Sequence, residues 1–266
     1  MSDNPNKVKL VYKCCGSKIY KGEKCICNNL NNETIGQSAE FAICIGSNIT
    51  CYISENRINK NISNRLCSLL EKEEILKKLP DKISESCGYK NGSIDFKLKN
   101  GETLSLKTLK YKEGKVCPQK IGQPTLKSWD KIWGTEWKGE LEYNNKRWEF
   151  IKNNIYKYLN KMLENIFCCD YLIILKNCGT DPYISFFDKK LLKNKLDYFT
   201  DQDIIYTREI YDEKWNEKKK KYSEMSCTIK IKMSGDLVNV GEFQFHKNSR
   251  KELKFRFWDG FLQKLF

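Results

Sequence analysis

Apolar and polar positions alternate most regularly in two parts of the chain. Between residues 94 and 108, Ile94, Phe96 and Leu98 are interleaved with Asp95 and Lys97, and Leu104 and Leu106 with Ser105 and Lys107. A period of two marks a strand with one face buried. Asn100-Gly101 between the two runs predicts an antiparallel hairpin with a two-residue turn, because both residues tolerate positive φ at low cost. The second region lies near the C-terminus. There Cys227 to Met233 and Leu237 to His246 alternate around Ser234-Gly235-Asp236, and Lys254-Phe255-Arg256-Phe257 adds a further strand.

Elsewhere the spacing is helical. Residues 36–45 predict a helix with Ser38 as N-cap, which puts Glu40 in the first turn, where the macrodipole favours an anion. Ile58, Ile62, Leu66, Leu69, Leu70, Ile75, Leu76 and Leu79 predict a single helix over 55–79, stopped by Pro80-Asp81. Trp148, Ile151, Ile155, Tyr158, Met162 and Ile166 line one face of a helix over 145–167, which feeds the apolar strand 169–175. Trp129, Trp133 and Trp137, at steps of four, read as core. Residues 176–207 read as irregular, and 207–225 as a charged helix carrying Lys218 to Lys221. The fold class is therefore mixed α/β (α+β): a central mixed sheet flanked by helices, with a C-terminal β-hairpin extension.

Composition changes this picture in two ways. Lys and Arg number 48 against 34 Asp and Glu, a net charge of +14 over 266 residues, which attracts a polyanion and makes nucleic acid the first candidate partner. Part of the excess is compositional, because Lys and Asn are abundant throughout. The 13 cysteines, an odd number, in a chain of this length and without a signal-like N-terminus point to reduced thiols in a soluble cytoplasmic protein with no membrane partner. Cys14, Cys15, Cys25 and Cys27 lie close enough in sequence to close a structural Zn²⁺ site, although the spacing differs from that of an ordinary knuckle. Residues 1–32 thus form a cysteine-bearing segment ahead of a larger domain over 33–266.

The candidate chemistry sits in the first hairpin. Alternation puts Asp95 on one strand and Ser105 and Lys107 on the next, so that a carboxylate and an ammonium can converge at one end of the sheet. Such a pair suits phosphodiester hydrolysis, with the acid holding a divalent cation and the lysine steering the attacking water or the developing charge. The same spacing also occurs on ordinary surface hairpins.

The residues C-terminal to the hairpin favour hydrolysis over an ordinary surface. Ser105-Leu106-Lys107-Thr108, continued by Gly114-x-x-x-Pro118-Gln119-x-x-Gly122-Gln123-Pro124, resembles type II restriction endonucleases of the PD-(D/E)xK nuclease superfamily. Thr34 to Ile45 resembles the glutamate-bearing opening helix of such enzymes, so the likeness covers about residues 35–125. It implies a restriction-endonuclease-like αβββαβ core, Mg²⁺ as cofactor, double-stranded DNA as substrate and a homodimer if the target is palindromic. Asp95 and Lys107 fall on the superfamily's metal-binding and catalytic positions, but Ser105 stands where an acid is usual. The missing carboxylate must then come from Glu40, Glu113 or Glu242.

Glu242-Phe243-Gln244 also resembles a variant catalytic strand, with Asp236 as a rather close preceding acid. Gln119, Gln123, Gln244, His246, Lys247, Asn248, Arg250, Lys254 and Arg256 are candidate DNA contacts, which makes 227–257 a DNA-reading region. The single histidine excludes a multi-histidine metal centre. The competing function is a non-catalytic nucleic-acid-binding protein stabilised by zinc. A third is a nuclease acting on branched or damaged ends.

Overall fold

The computed structural model describes residues 10–14, 17–20, 31–88, 94–118, 153, 155–179, 181–192, 204–209, 225–233, 235–245 and 253–266. In chain order the first half contains β1 (Leu10–Cys14), β2 (Ser17–Tyr20), α1 (Asn32–Ser47), α2 (Lys60–Lys72), β3 (Ile83–Ser86), β4 (Phe96–Leu98), β5 (Thr103–Thr108) and β6 (Lys115–Val116). The second half contains α3 (Ile155–Ile166), β7 (Tyr171–Lys176), β8 (Tyr183–Asp188), β9 (Ile204–Glu209), β10 (Met225–Met233), β11 (Asp236–Phe245), β12 (Leu253–Trp258) and α4 (Asp259–Lys264). The fold is mixed α/β, with two five-stranded sheets and a small β1–β2 hairpin.

The chain divides into two compact units, residues 1–114 with 171–186, and 115–170 with 187–266. In the first, the sheet runs β3-β4-β5-β7-β8. β3, β4 and β5 are antiparallel neighbours, and β7 joins β5 in parallel, with Leu104 opposite Tyr171 and Thr108 opposite Leu175. Helices α1 and α2 cover one face. Ile35, Ala39, Ala42 and Ile43 of α1 and Ile62, Leu66 and Leu70 of α2 share a core with Phe96, Leu98, Leu104, Leu106, Ile173 and Leu175. Period-two alternation therefore holds in β4 and β5 as the sequence predicts. It leaves Ser105 and Lys107 on the face of β5 opposite to Leu104 and Leu106.

Three local expectations change. The hairpin closes through three residues, Lys99, Asn100 and Gly101: Gly101 N–H donates to Leu98 O at 3.0 Å, Leu98 N–H to Glu102 O at 2.8 Å, and among Asn100 and Gly101 only the glycine has positive φ. This is the pattern of an ordinary turn ending in one left-handed residue. Helix α1 starts earlier, at Asn32, because the Asn31 side chain accepts from Thr34 N–H at 2.7 Å. Ser38 is instead buried in the helix, where its hydroxyl donates to Thr34 O and accepts from Asn59 N–H, tying α1 to the start of α2. The expected helix over 55–79 is broken into a short turn at Glu55–Arg57, α2, and another turn at Ile75–Lys78. Glu71, Glu73 and Glu74 crowd negative charge onto the C-terminal end of α2, where the dipole disfavours it, and Glu74 turns left-handed with φ 50°.

The second unit holds the sheet β6-β12-β11-β10-β9, antiparallel throughout. Phe243, Phe255 and Phe257 are fully buried and pack ring on ring at 4.6 and 4.8 Å. The C-terminal hairpin and the strand after it appear as read from the sequence. Residues 176–207, expected to be irregular, contain β8 and most of β9, and Thr207 to Glu209 are strand where the sequence predicts a helix. Tyr183-Ile184-Ser185-Phe186-Phe187-Asp188 lacks the strict alternation that reveals a half-buried strand, and its residues are mostly half-buried. Trp129, Trp133 and Trp137 and the beginning of the 145–167 helix lie outside the described residues, while α3 occupies the remainder. Among the described residues no helix is long and apolar enough to cross a membrane.

Candidate active site

The site begins where β4 parts from β5. The β4–β5 ladder pairs Lys97 with Thr103 and Phe96 with Leu104. Asp95 comes just before β4, with its N–H donating to Leu104 O at 3.1 Å and its carbonyl accepting from Cys87 N–H at 2.7 Å. Its side chain then does what a continuing strand would do: Oδ2 accepts from Leu106 N–H at 2.6 Å. A backbone donor is satisfied and a carboxylate is fixed against the middle of β5. Burial pushes the Asp95 carboxyl up, while the Leu106 N–H and the Lys107 charge oppose that shift.

Glu40 approaches from α1. With the helix starting at Asn32, Glu40 falls well past the first turn, so the dipole argument for it lapses. The Ser38–Asn59 bond, together with Ser63 donating to Ser38 O at 3.0 Å, fixes the rotation of α1 against α2 and thereby the direction of Glu40. Its carboxylate runs to the backbone after β3, where a Cβ added to Gly88 would lie 2.6 Å from Oε2. Burial and then the Asp95 charge push the Glu40 carboxyl up to about 7, with Lys107 and Arg57 pulling the other way. The Asp95 charge thus adds to the cost of charging Glu40, and one lysine acts on both.

Arg57 is a residue that the sequence reading misses. Its guanidinium pairs with Glu33, and the Gln37 amide, oriented to satisfy both partners, accepts from Arg57 Nη2 at 2.7 Å and donates to its carbonyl at 3.2 Å. Glu33, Gln37 and Glu40 share one face of α1 at helical spacing, a pattern that in retrospect asks for a cation beside it. The expected continuous helix over 55–79 hides the short turn that presents Arg57.

Of the other candidates, Ser105 and Glu113 belong to the first unit, Glu242, Lys254 and Arg256 to the second, and the rest, or their side chains, fall outside the described residues. Ser105 is fully buried in β5, opposite Leu172 of β7. Glu113 is exposed. Glu242 lies in β11 of the second unit, 6% exposed, where Lys115 pairs with it and Arg256 Nη2 stands 3.4 Å from Oε2. Lys115 Nζ also lies 4.5 Å from the Trp258 ring centroid. Glu242 therefore has its own cations within that sheet. Lys254 stands opposite Gln244 in the β11–β12 register. The Gln244 side chain, Gln119, Gln123, His246, Lys247, Asn248 and Arg250 lie outside the described residues, as do Cys15, Cys25, Cys27 and the side chain of Cys14.

Chemically, Glu40 and Asp95 offer oxygen donors suited to a hard cation, and Lys107 offers a fixed positive charge. Among the described residues no group of three or more His, Cys, Asp or Glu gathers as a metal site, so a cation here would complete its shell with water and substrate oxygens, as Mg²⁺ commonly does. Thiolate chemistry is disfavoured at Cys44, one turn beyond Glu40, because burial and the neighbouring Cys51 push its thiol up to about 12.

No known family profile matches the chain. The chain is similar to the type II restriction enzyme CviAII of Paramecium bursaria Chlorella virus 1, with 33% identity over 139 residues, 52% of this chain, and it spans only 38% of that enzyme's length.

Proposed function

We propose that the protein is a type II restriction endonuclease that hydrolyses double-stranded DNA at a short specific sequence with the help of Mg²⁺. The observation that carries this reading is the cluster of Glu40, Asp95 and Lys107: the half-buried Asp95 carboxylate fixed against β5, the half-buried Glu40 carboxyl pushed up by burial and the Asp95 charge, and one ammonium that acts on both. The similarity to a type II restriction enzyme supports it independently of the geometry. Within the first unit, the antiparallel β3-β4-β5 extended by β7 parallel to β5, with α1 and α2 on one face, supports a core of the PD-(D/E)xK kind.

In this reading Glu40 supplies the carboxylate that Ser105 does not. Glu40 and Asp95 would hold the divalent cation, which would supply positive charge at the scissile phosphate and ease deprotonation of water. Asp95 is oriented for this by Leu106 N–H, which fixes one carboxylate oxygen. Lys107 orients the attacking water and stabilises the charge that develops on the phosphate oxygens. Arg57, anchored by Glu33 and Gln37, adds positive charge beside Glu40 that favours a neighbouring phosphate. Lys254 and the basic residues between β11 and β12 contact DNA, and two copies act together if the target is palindromic.

The test is digestion of plasmid and phage DNA with Mg²⁺ and then sequencing of the product ends. Discrete fragments sharing one terminal sequence support the restriction reading. Cleavage with scattered ends supports a structure-directed nuclease, and retarded but intact DNA supports a binding protein.

A further inference from the structure

Gly88 lies just after β3, and the side chain it lacks bears on one neighbour. A Cβ built on its backbone would fall 2.6 Å from Glu40 Oε2, 3.4 Å from Glu40 Cδ and 3.9 Å from Glu40 Oε1. Those three atoms are its nearest contacts, and no backbone atom is among them. Gly88 is also absent from the positive-φ glycines, Gly101 and Gly235, so alanine can adopt its conformation. The residue before it, Cys87, donates its N–H to the carbonyl of Asp95 at 2.7 Å. Gly88 thus meets the Glu40 carboxylate through space and directly follows the residue that holds the Asp95 main chain.

We propose that Gly88 is a positioning residue of the active site: its missing Cβ leaves the space that the Glu40 carboxylate occupies beside Asp95, and a larger residue turns that carboxylate away. The proposal rests on the reading of Glu40 and Asp95 as the cation-holding pair. Carbon contacts settle near about 3.5 Å, so an alanine at 88 displaces the carboxylate by about 1 Å. The displaced atoms are the tip of a flexible side chain, which yields without strain elsewhere. Misplacement by that distance costs a cation site or a reaction about 10²-fold. The fold should hardly notice the change while the chemistry should.

The experiment compares the full-length wild type, Gly88→Ala, Glu40→Ala and the double variant in three measurements: thermal unfolding, Mn²⁺ binding monitored by electron paramagnetic resonance, and the titration of Glu40 by NMR with labelled glutamate. Gly88→Ala is expected to unfold within about 2 °C of wild type. It is also expected to bind Mn²⁺ at least about tenfold more weakly and to shift the Glu40 midpoint away from its wild-type value. Adding Gly88→Ala to Glu40→Ala should leave Mn²⁺ affinity unchanged. Equal weakening in both backgrounds overturns the proposal, because Gly88 would then act through something other than Glu40, as does a large loss of thermal stability. Absence of Mn²⁺ binding by the wild type would sink the metal reading. The Glu40 titration still decides the role of Gly88 in that case, since identical midpoints in wild type and Gly88→Ala reject it.

Discussion

At position 40 a carboxyl is held where its charged form is disfavoured, and stability should record this. Its folded-state value of about 7 lies above the ordinary 4.5, so the folded chain binds the Glu40 proton more tightly than the unfolded chain does. The contribution is harmless below the ordinary value and becomes a loss as pH rises through 7. The loss amounts to about 2 kcal/mol after allowance for partial solvent screening. Asp95 shifts in the same direction and adds to the effect. Glu40→Gln, which keeps the shape without the charge, is therefore expected to stabilise the metal-free protein by about 2 kcal/mol at about pH 8 and by almost nothing at about pH 4, as read by urea unfolding in a chelator. A divalent cation should offset the same repulsion, so Mg²⁺ should raise the unfolding temperature more at about pH 8 than at about pH 5.5, where protons compete for the carboxyls.

At the scale of elements, the second sheet separates two basic residues that look alike in sequence. Arg256 is 27% exposed and faces the buried Glu242, whereas Lys254 makes no such pair among the described residues. Arg256→Ala is expected to cost about 1–3 kcal/mol in urea unfolding, because Glu242 keeps only part of its compensation. Lys254→Ala should leave stability unchanged and weaken DNA binding, with a shallower salt dependence. The hairpins were legible because each has a clean period of two, and strand β7 because its apolar run is unbroken. The boundaries depended on side-chain bonds that periodicity does not carry: Asn31 rather than Ser38 starts α1, and Ser38 faces inward to hold Asn59. Strand β8 escaped because neither of its faces is consistently buried. Within the site, Asp95 and Lys107 could be read from alternation, whereas the approach of Glu40 needed the rotation of α1 against α2. Arg57 and Gly88 needed tertiary contacts altogether.

For the whole molecule, a net charge of +14 should make DNA affinity steeply dependent on salt. For a protein that neutralises several phosphates, affinity falls by orders of magnitude between about 50 and 200 mM salt. Charge accounts for attraction to a polyanion and not for hydrolysis, which in the proposed reading depends on Glu40, Asp95 and Lys107. The most direct measurement is the single-turnover cleavage of end-labelled duplex DNA in Mg²⁺ by wild type beside Asp95→Asn and Lys107→Ala, with binding of the same duplex measured in parallel. Both variants are expected to bind DNA within a fewfold of wild type and to cleave it at least about 10³-fold more slowly. Cleavage at the wild-type rate by Asp95→Asn would contradict the account, because the carboxylate at the centre of the site would then have no part in the reaction.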